Sequence, residues 1–211
     1  MFITVEGPIG VGKTSLAHII SQHFSMQMLN EIVEDNPFLG KFYEDIEEWS
    51  FQTEMFFLCN RFKQLDDIHK HHLSQQQSVV SDYHIFKNLI FAHRSLKPAH
   101  LNKYEQIYKI LTHDMPKPDV VIYLHASIET LMKRVALRGR EVEENMSRDY
   151  LEQLAHDYET FVESYRAAHP EVKILSFSGD ELDFVHNPND LTHVLKTIER
   201  ELELTKGAQL K

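Results

Sequence analysis

The chain has 211 residues, 42% of them hydrophobic, which is enough to bury one substantial core, and no linker, repeat or low-complexity tract divides residues 1–211 into more than one domain. Its formal net charge of −10 argues against a nucleic-acid or anionic-membrane partner, so any phosphate site needs a local group of cations. The single cysteine, Cys59, excludes an internal disulfide and suits a reducing compartment. No run of 18 apolar residues predicts a membrane span, and the strand pattern beginning at Phe2 leaves no room for a leader. We therefore expect a cytoplasmic protein.

The amino terminus contains a strand, a loop and a helix in the order typical of a phosphate-binding loop. Residues 2–14 read FITVEGPIGVGKT and fit G-x-x-x-x-G-K-[ST]. Backbone N–H groups, the Lys13 ammonium and the positive end of the next helix would face the phosphates, and the Thr14 hydroxyl can hold Mg²⁺. An accidental Gly-rich turn is the alternative, but an amphipathic helix follows as the motif requires. The residues predicted to bind ATP here are Gly7, Pro8, Ile9, Gly10, Val11, Gly12, Lys13 and Thr14.

Apolar runs alternate with longer helical patterns along the whole chain. This alternation predicts an α/β fold in which a five-stranded parallel sheet is covered by helices on both faces. The predicted strands are residues 2–5, 28–33, 79–83, 120–124 and 172–177. The predicted helices lie near residues 13–24, 37–45, 49–72, 84–94, 100–113, 127–138, 147–168 and 188–205, and Pro37 and Pro188, each after an asparagine, favour helix starts.

Acidic residues stand at the ends of the second and third predicted strands. Ligands of parallel sheets bind beyond the carboxyl ends of the strands, so Gly7, Glu31 and Asp82 should lie close together. Glu31 could accept the proton of a hydroxyl group that attacks a bound phosphate, unless it is a solvated loop acid. Asp82 resembles the magnesium-ordering acid of phosphate-loop enzymes, acting directly or through water, although capping of the next helix is the alternative.

Two further groups of charged residues are candidates for ligand contacts. Arg134 and Arg138 are followed by Gly139 and Arg140, and a helix that ends in such a segment predicts a lid over phosphates at about residues 138–147, against the alternative of an exposed salt-bridged helix. In the long third helix, Glu54 and Arg61 are seven residues apart and share a face. A surface ion pair would be the usual explanation of that second pattern.

Five separated segments, in matching order and spacing, resemble the deoxynucleoside kinase family, and within it the bacterial deoxyguanosine kinases. They are EGPIGVGKT, NEIVEDNPF, FYEDIEEWSFQTEMFFLCNRF, SDYHIFKN and RVALRGREVEE, and the resemblance covers about residues 2–184. It implies transfer of a phosphoryl group from a nucleoside triphosphate, expected to be ATP with Mg²⁺, to the 5′-hydroxyl of a deoxynucleoside. It also implies a homodimer, because family members commonly form one.

The resemblance also implies roles for individual residues. Glu31 would be the general base on the 5′-hydroxyl, while Tyr43 and Glu143 would contact the sugar 3′-hydroxyl. Arg61 and Asn88 would contact the acceptor base, with Phe91 as a stacking residue one position out of register. The remaining matches are the lid arginines Arg134, Arg138 and Arg140, the metal-site acid Asp82, and Asp183 and Phe184 beside the donor base.

The chain departs from the family pattern at Tyr83. Many relatives have an Asp/Glu-Arg-Ser triplet where this chain has Asp82, Tyr83 and His84, so an arginine expected near Glu31 is absent. Lys13, Arg61 and Arg138 are the candidates to replace it. If no cation does, the chain could be a weakly catalytic nucleotide-binding subunit of a kinase pair.

The second departure is Glu54, where relatives that act on adenine or cytosine have a glutamine. An ionised glutamate offers only acceptors, which complement the adjacent N1–H and 2-amino donors of guanine, while Arg61 can donate to O6 or N7. This predicts a deoxyguanosine kinase. The alternative is a deoxyadenosine or broad purine deoxynucleoside kinase in which Glu54 is protonated or turned away.

Overall fold

The structure, a computed structural model, describes residues 1–32, 36–140, 143 and 146–209, with side chains as far as residue 204. Its centre is a five-stranded sheet in the order β2-β3-β1-β4-β5, and every neighbouring pair is parallel, as predicted. The strands are β1 (Phe2–Glu6), β2 (Gln27–Leu29), β3 (Val79–Ser81), β4 (Val120–His125) and β5 (Lys173–Ser178). Glu34 and Asp35, and four residues of the predicted lid, 141, 142, 144 and 145, lie outside the described residues.

Eight α-helices, within the part of the chain that the structure describes, connect or follow these strands. They are α1 (Lys13–Phe24), α2 (Leu39–Glu44), α3 (Ile46–His71), α4 (Lys87–Ser95), α5 (Pro98–Thr112), α6 (Ile128–Arg138), α7 (Arg148–Ala168) and α8 (Pro188–Gln209). A short 3₁₀ turn, Leu73–Gln75, follows α3. Each of the eight α-helices matches a predicted helix, and the differences are confined to the helix ends.

Local hydrogen bonds explain where the helix ends differ from the predictions. α3 begins at Ile46 rather than near residue 49 because the Asp45 carboxylate accepts a hydrogen bond from the Glu48 N–H, which caps the helix earlier. α2 begins at Leu39 rather than at Pro37 because Asn36 Oδ1 accepts from the Phe38 N–H at 2.9 Å, forming a turn first. α8 begins at Pro188, as predicted.

The sheet is covered on both faces, because alternate strand residues point to opposite sides. Ile122 and Leu124 of β4 pack in one core with apolar residues of α1, α6 and α8, whereas Val121 and Tyr123 pack against α4 and α7 on the other face. A further core on this second face joins Phe2 and Val79 to α3 and α5. The prediction of helices on both faces is therefore confirmed.

The strand order determines where a ligand can bind. β1 lies in the centre, with β3 and β2 on one side and β4 and β5 on the other, so the chain builds the two halves of the sheet on opposite sides of β1. In open parallel sheets built to both sides of a strand in this way, ligands bind in a crevice at the carboxyl ends of the strands. Gly7 immediately follows β1, Asp82 immediately follows β3, and Glu31 lies two residues beyond β2.

Candidate active site

A cavity of about 970 Å³ opens at the carboxyl end of the sheet, and the phosphate-binding loop forms part of its wall. Gly7 has a φ of 148°, and an added Cβ there would lie 2.1 Å from the Leu124 carbonyl oxygen, so only glycine fits between β1 and β4. Gly7 and Pro8 do not line the cavity, and their contact with ATP stays a prediction. The predicted loop residues that line the cavity are Ile9, Gly10, Val11, Gly12, Lys13 and Thr14.

The ammonium group of Lys13 lies within the phosphate-binding loop. Its Nζ donates to the carbonyl oxygens of Gly7 at 2.8 Å and Pro8 at 3.0 Å. Burial, followed by the nearby charge of Lys87, lowers the pKa of Lys13 to about 8. The two carbonyl contacts hold the ammonium beside the position where an anion nest accepts phosphate oxygens.

Asp82 connects the phosphate-binding loop segment to Glu31. Its Oδ2 accepts from the Thr14 hydroxyl at 2.6 Å, and its Oδ1 accepts from the Glu31 backbone N–H at 2.7 Å. Thr14 and Asp82 therefore place two oxygen ligands together beside the phosphate-binding loop. This donor set fits Mg²⁺, which takes one or two protein oxygens and completes its shell with water and phosphate oxygens.

Glu31 lies between two cations. Its carboxylate forms ion pairs with Arg61 through Oε1 and with Lys87 through Oε2, the latter at 2.8 Å, and all three side chains are at least nine-tenths buried. Burial alone would raise the pKa of Glu31, but Lys87 and Arg61 outweigh it and hold that pKa well below its usual range. The alternative of a solvated loop acid is therefore wrong, and Glu31 is ionised throughout the physiological pH range.

Lys87 was missed by the sequence analysis, which looked for the replacement of the absent arginine among Lys13, Arg61 and Arg138. Tyr83 is fully buried, with its hydroxyl donating to Gln64 Oε1, and the cation that reaches Glu31 comes instead from the first residue of α4. Arg61 was a correct candidate for a second cation. The available signal was a lone lysine in the apolar run IFKNLIF, one helical turn beyond the strand end.

Glu54 and Arg61 lie on one face of α3, as predicted, and both line the cavity. They are 2% and 4% exposed, so the alternative of a surface ion pair is wrong. Arg61 directs Nη2 to Glu31 and stacks on the Phe57 ring, with its guanidinium carbon 4.6 Å from the ring centre. Among the described residues, Arg61 Nε and Nη1 and Glu54 Oε2 are buried without hydrogen-bond partners, which leaves donors and an acceptor for a polar ligand.

The residues predicted to contact the sugar and the base mostly lie in the same wall. Tyr43, Glu143 and Phe91 all line the cavity. Burial, with Glu143 and then Glu54 as additional causes, raises the pKa of Tyr43 to about 12, so its hydroxyl remains a hydrogen-bond donor. Asn88 is fully buried and does not line the cavity; its amide nitrogen donates to the Tyr104 hydroxyl at 2.9 Å, its Oδ1 has no hydrogen-bond partner among the described residues, and its contact with a base stays a prediction.

The three arginines at the end of α6 do different things. Arg134 donates to the carbonyl oxygens of Val11 at 3.0 Å and Gly179 at 2.9 Å, so it joins the phosphate-binding loop to the segment after β5. Arg138 is paired with Glu143 from the lid segment, and Arg140 lies within 3.9 Å of the same carboxylate. All three arginines line the cavity, which favours the lid over an exposed salt-bridged helix.

Asp183 and Phe184 also line the cavity. Phe184 is buried and packs on the phosphate-binding loop, where an added Cβ on Gly12 would lie 3.4 Å from its ring. Asp183 Oδ1 accepts from the backbone N–H of His186 at 3.0 Å, which fixes the turn between β5 and α8. These contacts are compatible with a donor-base site formed by this turn.

A buried carboxylate, Glu6, was also missed. It is fully buried at the end of β1, where it accepts the backbone N–H groups of Gly7 at 3.0 Å and His84 at 2.7 Å. Burial raises its pKa, while the charges of Lys87 and Lys13 oppose that change. Glu6 thus attaches the phosphate-binding loop to the segment that leads into α4 and carries Lys87.

A family model described as deoxynucleoside kinase matches residues 3–203. The chain belongs to the deoxynucleoside kinase family. The recognition made from sequence segments is therefore confirmed, and so is the expectation of a kinase. Within the described residues, no helix combines the length and the apolar character needed to cross a membrane.

Individual relatives and solved structures of the family cover nearly the whole chain. The chain is 53% identical to a deoxyguanosine kinase of Bacillus subtilis over 193 residues, which are 92% of this chain and 93% of the relative. It is 34% identical to a deoxyadenosine kinase of Lactobacillus acidophilus over 95% of each chain. A structure of a deoxyadenosine kinase from M. mycoides, with the products dCMP and dCDP, superimposes with a TM-score of 0.80 at 24% identity, covering 95% of this chain and 100% of the other, and supports the fold.

Proposed function

We propose that this protein is a deoxyguanosine kinase, which transfers the γ-phosphoryl group of ATP to the 5′-hydroxyl of 2′-deoxyguanosine and gives dGMP in purine deoxynucleoside salvage. The observation that carries the proposal is the buried carboxylate of Glu54 in the cavity wall, with Oε2 unpartnered among the described residues. The 53% identity to a deoxyguanosine kinase supports the same substrate.

The acceptor would be held by groups from three helices. Glu54 would accept from guanine N1–H and the 2-amino group, and Arg61 would donate its unpartnered N–H groups to O6 or N7. Phe91 would stack on the base, while Tyr43 and Glu143 would bind the 3′-hydroxyl. The amide nitrogen of Asn88 would support Tyr104 and, through the Tyr104 hydroxyl, the α3 backbone.

The reacting groups would meet at the end of the sheet. Mg²⁺ held at Thr14 and Asp82 would neutralise phosphate charge when bound with ATP. The loop N–H groups, Lys13, Arg134 and Arg138 would bind phosphate oxygens, with Arg140, Asp183 and Phe184 around the rest of the nucleotide. Glu31 would orient the 5′-hydroxyl and accept its proton late in the transfer, because phosphoryl transfer depends on positioning and charge stabilisation more than on early deprotonation.

Initial rates of the purified chain with ATP and Mg²⁺ on the four deoxynucleosides and guanosine test this proposal. We expect the highest kcat/KM with deoxyguanosine and much lower values with guanosine, because Tyr43 would crowd a 2′-hydroxyl. Preference for another base would overturn the assignment of guanine. Absence of turnover with every acceptor would instead favour the weakly catalytic subunit.

The proposal includes a homodimer in the cytoplasm. The homodimer is supported by the resemblance to a family whose members commonly form one. The cytoplasm is supported by the single exposed thiol of Cys59, which suits a reducing environment. Light scattering on the purified protein should give twice the 24.8 kDa of one chain. A monomer at working concentration would contradict the dimer without affecting the proposed reaction.

A further inference from the structure

Glu54 lies in an environment that does not favour its charge. It is 2% exposed, its Oε2 has no hydrogen-bond partner among the described residues, and its Oε1 is 3.2 Å from the hydroxyl oxygen of Ser95. A buried ionised carboxylate normally has several donors, because losing water without replacement is costly. Here at most one donor is available.

The Ser95 hydroxyl has a nearer hydrogen-bond acceptor than Glu54. Its oxygen is 2.8 Å from the Phe91 carbonyl oxygen, one helical turn earlier in α4, and 3.2 Å from Glu54 Oε1. A hydroxyl has one proton to give and can accept through its lone pairs. When the Ser95 hydroxyl donates its hydrogen bond to the nearer Phe91 carbonyl oxygen, it can only accept from Glu54. Ser95 and Glu54 then form a hydrogen bond only if the Glu54 carboxyl is protonated and donates.

The charged groups around Glu54 are mostly engaged elsewhere. Arg61 of α3 and Lys87 of α4 both form ion pairs with Glu31, as described above. The other titratable groups facing Glu54 are the neutral phenols of Tyr43 on α2, Tyr104 on α5 and Tyr150 on α7. Burial therefore raises the pKa of Glu54 to about 7, with Arg61, Ser95 and Lys87 opposing the shift.

The two protonation states present different hydrogen-bonding edges to a purine. A neutral carboxyl offers one donor and one acceptor, like the glutamine amide, and this pair complements N1 and the 6-amino group of adenine. The ionised form offers acceptors only and complements N1–H and the 2-amino group of guanine. We propose that a proton on Glu54 selects the purine, so that the protein phosphorylates deoxyadenosine through the neutral form and deoxyguanosine through the ionised form of one site.

The inference deepens the proposed function and rests on it, and it has a simple quantitative consequence. If each purine uses one form, the ratio of kcat/KM for deoxyadenosine to kcat/KM for deoxyguanosine follows the ratio of neutral to ionised Glu54. That ratio falls about tenfold for each pH unit. Titration of Lys13 and of other groups used with both substrates cancels from it.

The experiment measures both kcat/KM values in the wild-type protein and in Glu54→Gln at about pH 6, 7 and 8. In the wild-type protein we expect the ratio to fall about a hundredfold over this range. In Glu54→Gln, which keeps one donor and one acceptor at every pH, the ratio should favour deoxyadenosine and stay constant. A constant ratio in the wild-type protein, or the same slope in Glu54→Gln, would overturn the inference.

Binding provides a second readout that does not need turnover. Calorimetry without ATP, in buffers of different ionisation enthalpy, counts protons exchanged on binding. Deoxyguanosine should release a proton at about pH 6 and deoxyadenosine should take one up at about pH 8, and neither exchange should occur in Glu54→Gln. Phosphorylation of deoxyguanosine at about pH 8 together with a pH-independent ratio would refute the inference and leave the proposed function standing, whereas binding of neither purine would refute both.

Discussion

At the residue scale, the chemistry of the site depends on two cations that reach one carboxylate from different helices. Arg61 approaches Glu31 from the middle of α3 and Lys87 from the first turn of α4. Three buried charges with a net charge of +1 form a preorganised group beside the phosphate-binding loop. We propose that Lys87 supplies the positive charge that relatives obtain from the arginine at the position of Tyr83.

Replacing Lys87 tests that role. Lys87→Met should lower kcat by about 10²–10³-fold with little change in the KM for nucleoside, because one preorganised charge next to the transferred phosphoryl group is lost. Lys87→Arg should recover part of the loss. Lys63→Met is a matched control, since the Lys63 side chain is 67% exposed and, among the described residues, pairs with Asp67 of the same helix alone. A normal kcat in Lys87→Met would leave Lys87 with a structural role alone.

The ionised state of Glu31 has its own consequence. Because the pKa of Glu31 lies well below its usual range, kcat at saturating deoxyguanosine should show no acid limb between about pH 5.5 and 7.5. Glu31→Gln should lower kcat by about 10²–10⁴-fold while keeping a side chain of the same size between Arg61 and Lys87. An acid limb in the wild-type kcat profile that disappears in Glu31→Gln would contradict the low pKa.

At the element scale, helix α6 carries two arginines one turn apart that have different partners. Arg134 holds two backbone carbonyl groups from different parts of the chain, whereas Arg138 pairs with a single carboxylate beyond the end of the helix. The sequence spacing of four placed both on one face correctly. It could not separate their roles, because the partners of Arg134 are backbone atoms 123 and 45 residues away in the chain.

The two arginines should therefore respond differently to truncation. Arg134→Ala should lower the melting temperature by several degrees and weaken ATP binding, since hydrogen bonds to a charged group contribute about 1.5–3 kcal/mol each. Arg138→Ala should change stability by about 0.5 kcal/mol or less but lower kcat, because its present ion pair is partly exposed. Thermal melts and steady-state kinetics of both variants make the comparison. Equal stability losses in the two variants would contradict the distinction.

Elements whose apolar pattern is long were predicted well from the sequence, and short ones less well. α1, α6 and α7 were predicted to within one residue, because buried residues at helical spacing and the caps Ser127 and Ser147 mark them. β3 ends at Ser81 and not at Tyr83, since the Ser81 hydroxyl bonds to the Tyr83 backbone and turns the chain. Lys87 was missed because its partner Glu31 is 56 residues earlier in the sequence, and a lone lysine in an apolar run does not identify so distant a partner.

At the scale of the whole molecule, burial of Glu54 affects folding stability as well as binding. The carboxyl has an ordinary pKa of 4.5 in the unfolded chain and about 7 in the folded protein, so the folded state binds the proton more tightly. The contribution of Glu54 to the free energy of unfolding is therefore fully present below about pH 4.5. It is lost as the pH rises through about 7, since the buried carboxyl must then ionise.

Comparison with Glu54→Gln isolates that contribution. The amide does not titrate, so the free energy of unfolding of the variant relative to the wild-type protein should increase by about 3 kcal/mol between about pH 4.5 and pH 8. Denaturant unfolding of both proteins across this range measures the difference, and the effects of all other titrating groups cancel. A pH-independent difference would mean that folding does not raise the pKa of Glu54.

The sheet order was predictable in its consequence, although the sequence did not specify it. Three strand ends were expected to bring Gly7, Glu31 and Asp82 together. The hydrogen bonds of Asp82 to the Glu31 backbone and to Thr14, in the loop that begins at Gly7, confirm this for Glu31 and Asp82. The cavity wall opposite them comes from α2, α3 and α4. Side chains such as Phe57 could not be assigned to it in advance, since core and cavity positions share the same helical spacing.

The guanidinium of Arg61 belongs to both halves of this arrangement. It is joined to Glu31 through Nη2, while Nε and Nη1 are buried without hydrogen-bond partners among the described residues, in the cavity wall that also contains Glu54. Substrate preference could therefore drift during evolution by exchanges at position 54, which leave the reacting end of the molecule intact. An exchange at position 61 would alter base recognition and turnover at once. We therefore expect position 61 to vary less than position 54 among homologues that differ in substrate preference.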